Sequence, residues 1–123
     1  MSPIEVLAVA LAGGVGAGLR WIIDAALRPS RGFPWPILLV NVTGCYVMAL
    51  LATVFAGVAS PVLTVATAGL LGGYTTFSTV SVDTVELWLA RRRAAAVGNG
   101  VGTLLLCTLG AALGLVTATA FLP

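Results

Sequence analysis

The chain has 123 residues, of which 59% are apolar and 8% charged, with a formal net charge of +2. An ordinary soluble domain carries about 25% charged residues, so that class is excluded. There is no histidine, and the two cysteines, Cys45 and Cys107, fall within apolar runs. A Cys/His metal site is therefore excluded, a disulfide is not expected, and both cysteines read as small apolar packing.

Charge placement says more than its sum. No residue from 32 to 82 is charged, and none from 94 to 123. At about 20 residues per crossing, those runs suffice for two spans and one span. The N-terminal MSPIEV lacks the basic region of a signal peptide, so the first apolar run is expected to be a retained membrane helix.

Span one is expected over residues 3–27. Small residues recur at four-residue spacing on two stripes, Ala10, Gly14 and Gly18 on one and Ala8, Ala12 and Gly16 on the other. Such stripes let helix backbones approach closely. Arg20 lies near the inner end, where it either snorkels to the interface or faces a polar vestibule that attracts anions. The connector 28–34, RPSRGFP, is polar and rich in proline.

Span two is expected over 35–55, with Trp35 at the interface. Asn41 and Thr43 lie about two turns inside. A lone asparagine in a membrane helix is usually interhelical glue, yet its amide is also a donor that a passing anion could use. A short loop leads to Ser60–Pro61, a plausible N-cap and first helical position.

Span three, 61–90, is too long for a simple crossing. As one straight helix, about 30 residues reach roughly 45 Å against roughly 30 Å of hydrocarbon. Within it, residues 69–81 read GLLGGYTTFSTVS, with adjacent Gly72 and Gly73 and then Thr75, Thr76, Ser78, Thr79 and Ser81. Glycine weakens a helix, and Ser/Thr side chains compete for its backbone bonds. A break at membrane depth is tolerated only where it is buried in protein or lines water, so the stretch is a candidate ion or substrate site. The alternative is a kink whose hydroxyls bond back to their own helix.

Span four is expected over 95–121. Gly98, Gly102, Gly110 and Gly114 form another small stripe. Asn99, Thr103 and Cys107 share a face at i, i+4 and i+8, which should meet protein or a pathway rather than lipid.

The four spans place both termini on one side and the connectors 28–34 and 91–93 on the other. Leaving aside Arg20 inside span one, the arginine count is five to zero in favour of those connectors. The positive-inside rule then puts them in the cytoplasm and both termini outside.

Three stretches together resemble the Fluc/CrcB family of fluoride channels: GGVGAGLRW at 13–21, LLVNVTGC at 38–45 and GGYTTFSTVSVD at 72–83. The third is the most specific, and the likeness covers essentially the whole chain, with span four matching weakly. The resemblance implies an all-α membrane protein of four transmembrane helices, broken in the third, that assembles as an antiparallel dimer with two fluoride pathways. It implies a structural sodium ion at the dimer centre, held by the backbone carbonyls of Gly72 and Thr75. The pore asparagine maps to Asn41 and the first pore phenylalanine to Phe77. Aromatic ring edges are electropositive and can contact a small anion without trapping it. The hydroxyls of Thr76, Ser78 and Thr79 join the pathway, and a polar track on span four maps to Asn99 and Thr103, with Cys107 where a hydroxyl might stand. Arg20 and Asp83 are candidates for the vestibule.

The chain departs from the pattern at Val80, where the family usually has a second phenylalanine. An antiparallel homodimer needs a chain that inserts both ways, whereas this one has a strong arginine bias. We therefore expect a heterodimer with a paralogue of opposite bias somewhat more than a homodimer. Fluoride, a second subunit and the bilayer are the expected partners; nucleic acid is not, and neither is catalysis. A four-span antiporter for guanidinium-type cations is the main alternative, but it needs a titratable carboxylate near mid-membrane, and Glu5, Asp83 and Glu86 lie off that depth. A third reading, a non-transporting assembly partner, leaves the hydroxyl-rich break unexplained.

Overall fold

The computed structural model describes residues 1–122, and among the described residues the only regular structure is helical, with no strand. The helices are α1 (Pro3–Leu27), α2 (Trp35–Val54), α3 (residues 61–74), α4 (Ser78–Leu89) and α5 (Arg93–Phe121). Three of them, α1, α2 and α5, are long and apolar enough to cross a membrane.

Helix ends follow local chemistry. At α1, the Ser2 hydroxyl accepts the Glu5 N–H at 3.3 Å while the Glu5 carboxylate accepts the Ser2 N–H at 2.6 Å, with Pro3 at the first helical position. Trp35 and Pro36 open α2, and Pro61 opens α3 behind Ser60, as the Ser-Pro pair predicts, although the Ser60 side chain makes no capping bond. Arg91, with φ of 60°, reverses the chain between α4 and α5.

The stretch read as span three is divided. Residues Val65–Leu71 form a π-helical turn, Gly72–Tyr74 resume α geometry, Thr75 is extended, and helix restarts only at Ser78. The wide turn lies where α3 crosses α1. A Cβ on Gly69 would meet Ala12 and the Val9 carbonyl at 2.9 Å, so the two backbones are in contact there.

Packing sorts the glycine stripes. On α1 it is the Gly16 stripe that meets α3: a Cβ on Gly16 would fall on the Leu70 carbonyl, and one on Gly73 would fall on the Gly13 carbonyl. On α5, Gly110 and Gly114 lie against Val42 and Tyr46 of α2. Successive contacts advance in the same direction, so α2 and α5 run parallel. Gly14, Gly18, Gly98 and Gly102 have open space where a side chain would stand. Gly16→Ala or Gly73→Ala should each destabilise by about 1–3 kcal/mol through overpacking, while Gly14→Ala and Gly98→Ala should leave stability near wild type. Thermal unfolding in detergent checks the contrast.

The two ends differ. At one, Arg92 donates to the Gly32 carbonyl at 3.1 Å, joining the connectors on either side of the bundle. At the other, Met1, Glu5 and Val9 share a small cavity with Ser60, Pro61 and Thr64. The outward faces, including Leu7, Leu11, Leu104, Leu105 and Val116, are apolar and exposed, the pattern of a helix bundle immersed in lipid.

Candidate functional site

The sequence between Tyr74 and Ser78 cannot complete its own helical bonds, and Asn41 completes them instead. Thr75 turns extended, with ψ of 155°. In an unbroken helix the Thr76 N–H would reach the Gly72 carbonyl. Here it donates to Asn41 Oδ1 at 2.7 Å, and Asn41 Nδ2 donates to the Thr76 carbonyl at 2.9 Å. The amide of Asn41 thus pairs with Thr76 as one peptide pairs with another. It is 5% exposed, and its second N–H remains free of these two bonds.

The hydroxyls divide into two groups. Thr75 donates to the Leu71 carbonyl and Ser81 to the Phe77 carbonyl, the back-bonding that a simple kink would show. Thr76 behaves differently. Its Oγ1 accepts the Thr79 N–H at 3.2 Å, donates to Thr79 Oγ1 at 3.1 Å and lies 3.2 Å from Ser78 Oγ. Thr76, Ser78 and Thr79 therefore form one hydroxyl cluster at the restart of the helix.

These elements wall a groove of about 1000 Å³ between α2, the interruption and α5. Asn41, Gly72, Thr75, Thr76, Phe77, Val80 and Thr103 line it, and among the described residues no acidic or basic one does. Phe77 projects from the wall, 85% exposed, whereas Val80 is 6% exposed. The Thr103 hydroxyl is buried without a hydrogen-bond partner. Asn99 stands apart from the rest of its face. It is 2% exposed and donates to Thr84 Oγ1 at 2.9 Å and to the Val80 carbonyl at 3.3 Å, joining α5 to α4 behind two residues that line the groove.

A second cavity, about 690 Å³, opens at the connector end and is lined by Arg28, Arg31, Arg92, Asp83 and Glu86. Arg28 spans it. Its guanidinium binds Asp83 through both terminal nitrogens at 3.1 and 3.0 Å and Asp24 through Nε at 2.8 Å. The hydrogen bond to Asp83 raises the Arg28 pKa further above its ordinary value, against a smaller opposing effect of burial, so the charge is fixed. Asp83 is 7% exposed and is a partner of Arg28 rather than a free vestibule charge. Arg20, the other vestibule candidate, lines neither cavity, and its Nε is buried without a partner.

Sequence reasoning singled out residues 69–81, Asn41, Phe77 and Thr103 as separate features. It missed the Asn41–Thr76 pairing, whose only signal was a lone amide on the span preceding a stretch short of backbone bonds. It also missed Arg28 as the partner of Asp83, 55 positions away in the chain.

Among known proteins, the profile of the CrcB-like protein, Camphor Resistance (CrcB) family matches residues 7–115. The chain is 41% identical to a protein named fluoride-specific ion channel FluC 1 from Leifsonia xyli subsp. xyli, over 94% of this chain and 87% of that one. It is 41% identical to a fluoride-specific ion channel FluC 1 from Halobacterium salinarum, over 92% of each. It is 36% identical to the fluoride-specific ion channel FluC of Magnetococcus marinus, over 92% of this chain and 96% of that one. The match runs through α1, α2, the interruption and most of α5, so this multi-pass membrane protein belongs to the CrcB family.

Proposed function

We propose that the chain is a subunit of a fluoride-specific channel that lets fluoride leave the cytoplasm passively. The observation that carries this reading is the uncharged groove at the helix interruption. Its lining holds the Asn41 amide, the Thr103 and Thr76 hydroxyls and the ring of Phe77, with Ser78 and Thr79 behind Thr76 in the hydroxyl cluster. Such neutral donors replace the water around a small, strongly hydrated anion without creating a well deep enough to hold it. The names of the relatives point the same way. A guanidinium-type antiporter is disfavoured, because no carboxylate lines the groove and Asp83 is neutralised by Arg28.

The groove is one-sided, and the complete pathway is an antiparallel pair of subunits closing over it. A structural sodium ion fits this reading. Diversion of the Thr76 N–H to Asn41 leaves the Gly72 carbonyl without that donor, and Gly72 and Thr75 both line the groove. Carbonyl oxygens suit a hard cation, and hard cations take about six or more oxygens. Two donors from one chain are too few; a second subunit would bring them to four, with water left to complete the shell. When bound, the ion supplies fixed positive charge that holds the two interruptions together.

The arginine bias supports cytoplasmic connectors and external termini, and a heterodimer with an oppositely biased paralogue. Reporter fusions at the C-terminus should show one orientation, and equal populations inside and outside would contradict it. The function itself is tested by efflux from liposomes containing the chain, alone and with a paralogue, read by a fluoride electrode with chloride as control. Fluoride release without chloride release is expected. At Val80, which lines the groove, Val80→Phe should restore the second ring edge and raise fluoride flux severalfold. Unchanged flux would show that the position only packs.

A further inference from the structure

The cavity at the connector end, about 690 Å³, holds charge that the Arg28 clasp does not consume. Arg28 is taken up by Asp24 and Asp83, two carboxylates on one guanidinium. Arg31, Arg92 and Glu86 line the same cavity, and among the described residues none of the three has an ion-pair partner. Arg92 gives one terminal nitrogen to the Gly32 carbonyl at 3.1 Å, which steadies the side chain and leaves its other N–H groups available. With Asp24 counted, the arginines and carboxylates of this mouth balance, yet two cations and one anion remain unpaired within it. Arg91 and Arg93 lie outside the lining, and Arg93 stacks over the Trp88 ring at 5.0 Å.

The tryptophans set the depth of the mouth. Trp21 stands near the end of α1, Trp35 opens α2 and Trp88 is the last residue but one of α4, and all three are exposed. Exposed tryptophans gathered at one end of a membrane bundle mark the level of the lipid headgroups. A basic pocket between helices at that level is suited to a headgroup.

We propose that this cavity binds the headgroup of an aminophospholipid of the phosphatidylethanolamine type. Arg31 and Arg92 hold the phosphate, whose oxygens match the guanidinium fork. Glu86 accepts from the primary ammonium. Phe33, Pro34 and Leu87 give the glycerol and the first acyl carbons an apolar flank. Glu86 is what selects the class. A phosphatidylglycerol headgroup has the phosphate but no cation, so it leaves Glu86 unpaired beside a second negative charge. A phosphatidylcholine headgroup has both charges but no N–H on its quaternary nitrogen to donate.

The test is native mass spectrometry of the full-length protein in detergent, titrated with phosphatidylethanolamine, phosphatidylglycerol and phosphatidylcholine of identical acyl chains. Phosphatidylethanolamine should bind about fivefold more tightly than either of the others, the factor that one partly solvated charge pair supplies. Glu86→Gln should erase that preference, and Glu86→Lys should turn it towards phosphatidylglycerol. Arg31→Gln and Arg92→Gln should each weaken all three lipids by a similar factor. Inorganic phosphate should fail to displace the bound lipid. Equal binding of the three lipids by the wild-type chain would overturn the proposal, as would a Glu86→Gln variant that keeps the preference. Displacement by phosphate alone would overturn it too, by assigning the cavity to a soluble anion. None of these readouts uses fluoride, so the outcome stands apart from the channel reading.

Discussion

Asn41→Ala is expected to abolish fluoride efflux and to lower stability by about 2–6 kcal/mol. The magnitude follows from what the amide does. Its removal leaves the Thr76 N–H and the Thr76 carbonyl unsatisfied together. Each orphaned buried group costs about 1–3 kcal/mol, and lipid offers no replacement partner. Water entering from the groove would reduce the stability loss, but it would not restore the geometry of the interruption. Asn41→Asp separates the two bonds. Its carboxylate still accepts the Thr76 N–H, yet it sets an oxygen against the Thr76 carbonyl and places a negative charge on an anion route. It should therefore retain more stability than the alanine variant while conducting no better. Efflux assays beside thermal unfolding in detergent check both statements. An alanine variant that unfolds and conducts like wild type would show that the interruption holds its shape without the amide.

The same residue marks the limit of what the sequence discloses. Charge-free runs, prolines and glycines act locally, and they carry the helical class of the chain: α1 runs over Pro3–Leu27 and α5 over Arg93–Phe121. The interruption was expected from a surplus of length joined to a surplus of hydroxyls. Pairing across helices was not, because the partner of a backbone group leaves no periodic trace. Asn41 reads identically whether it donates to an anion, to another subunit or to Thr76. The glycine stripes show a similar degeneracy. Gly14 and Gly16 sit on equally plausible stripes, and only the crossing of α3 over α1 decides that Gly16 is filled by Leu70 while Gly14 faces open space. Asn99, grouped with Thr103 and Cys107 by spacing, turns to Val80 and Thr84 because α4 packs there.

Arg28 offers the second large effect. It ties the end of α1 to α4 by hydrogen bonds to a buried carboxylate. Arg28→Met should destabilise by about 1–3 kcal/mol, because it leaves the buried Asp83 without its counter-charge while the arginine side of the pair is partly solvated. Asp24→Asn should cost about 1 kcal/mol or less, since that ion pair is partly solvated and lies one turn away on the same helix. Removing both members of the buried pair, Arg28→Met with Asp83→Leu, should recover most of the loss, since the desolvation penalty leaves together with the attraction. The clasp is insensitive to pH through the neutral range on the arginine side. A raised pKa in the folded chain contributes stability that is present below the ordinary arginine value and is lost only as pH climbs through the raised one, far above neutrality. The flux readout is separate. Because α4 begins at the hydroxyl cluster, loosening its far end in Arg28→Met should also slow fluoride efflux, and the double variant should restore it. A double variant that regains stability but not flux would instead give the charges at this mouth a direct part in admitting the anion.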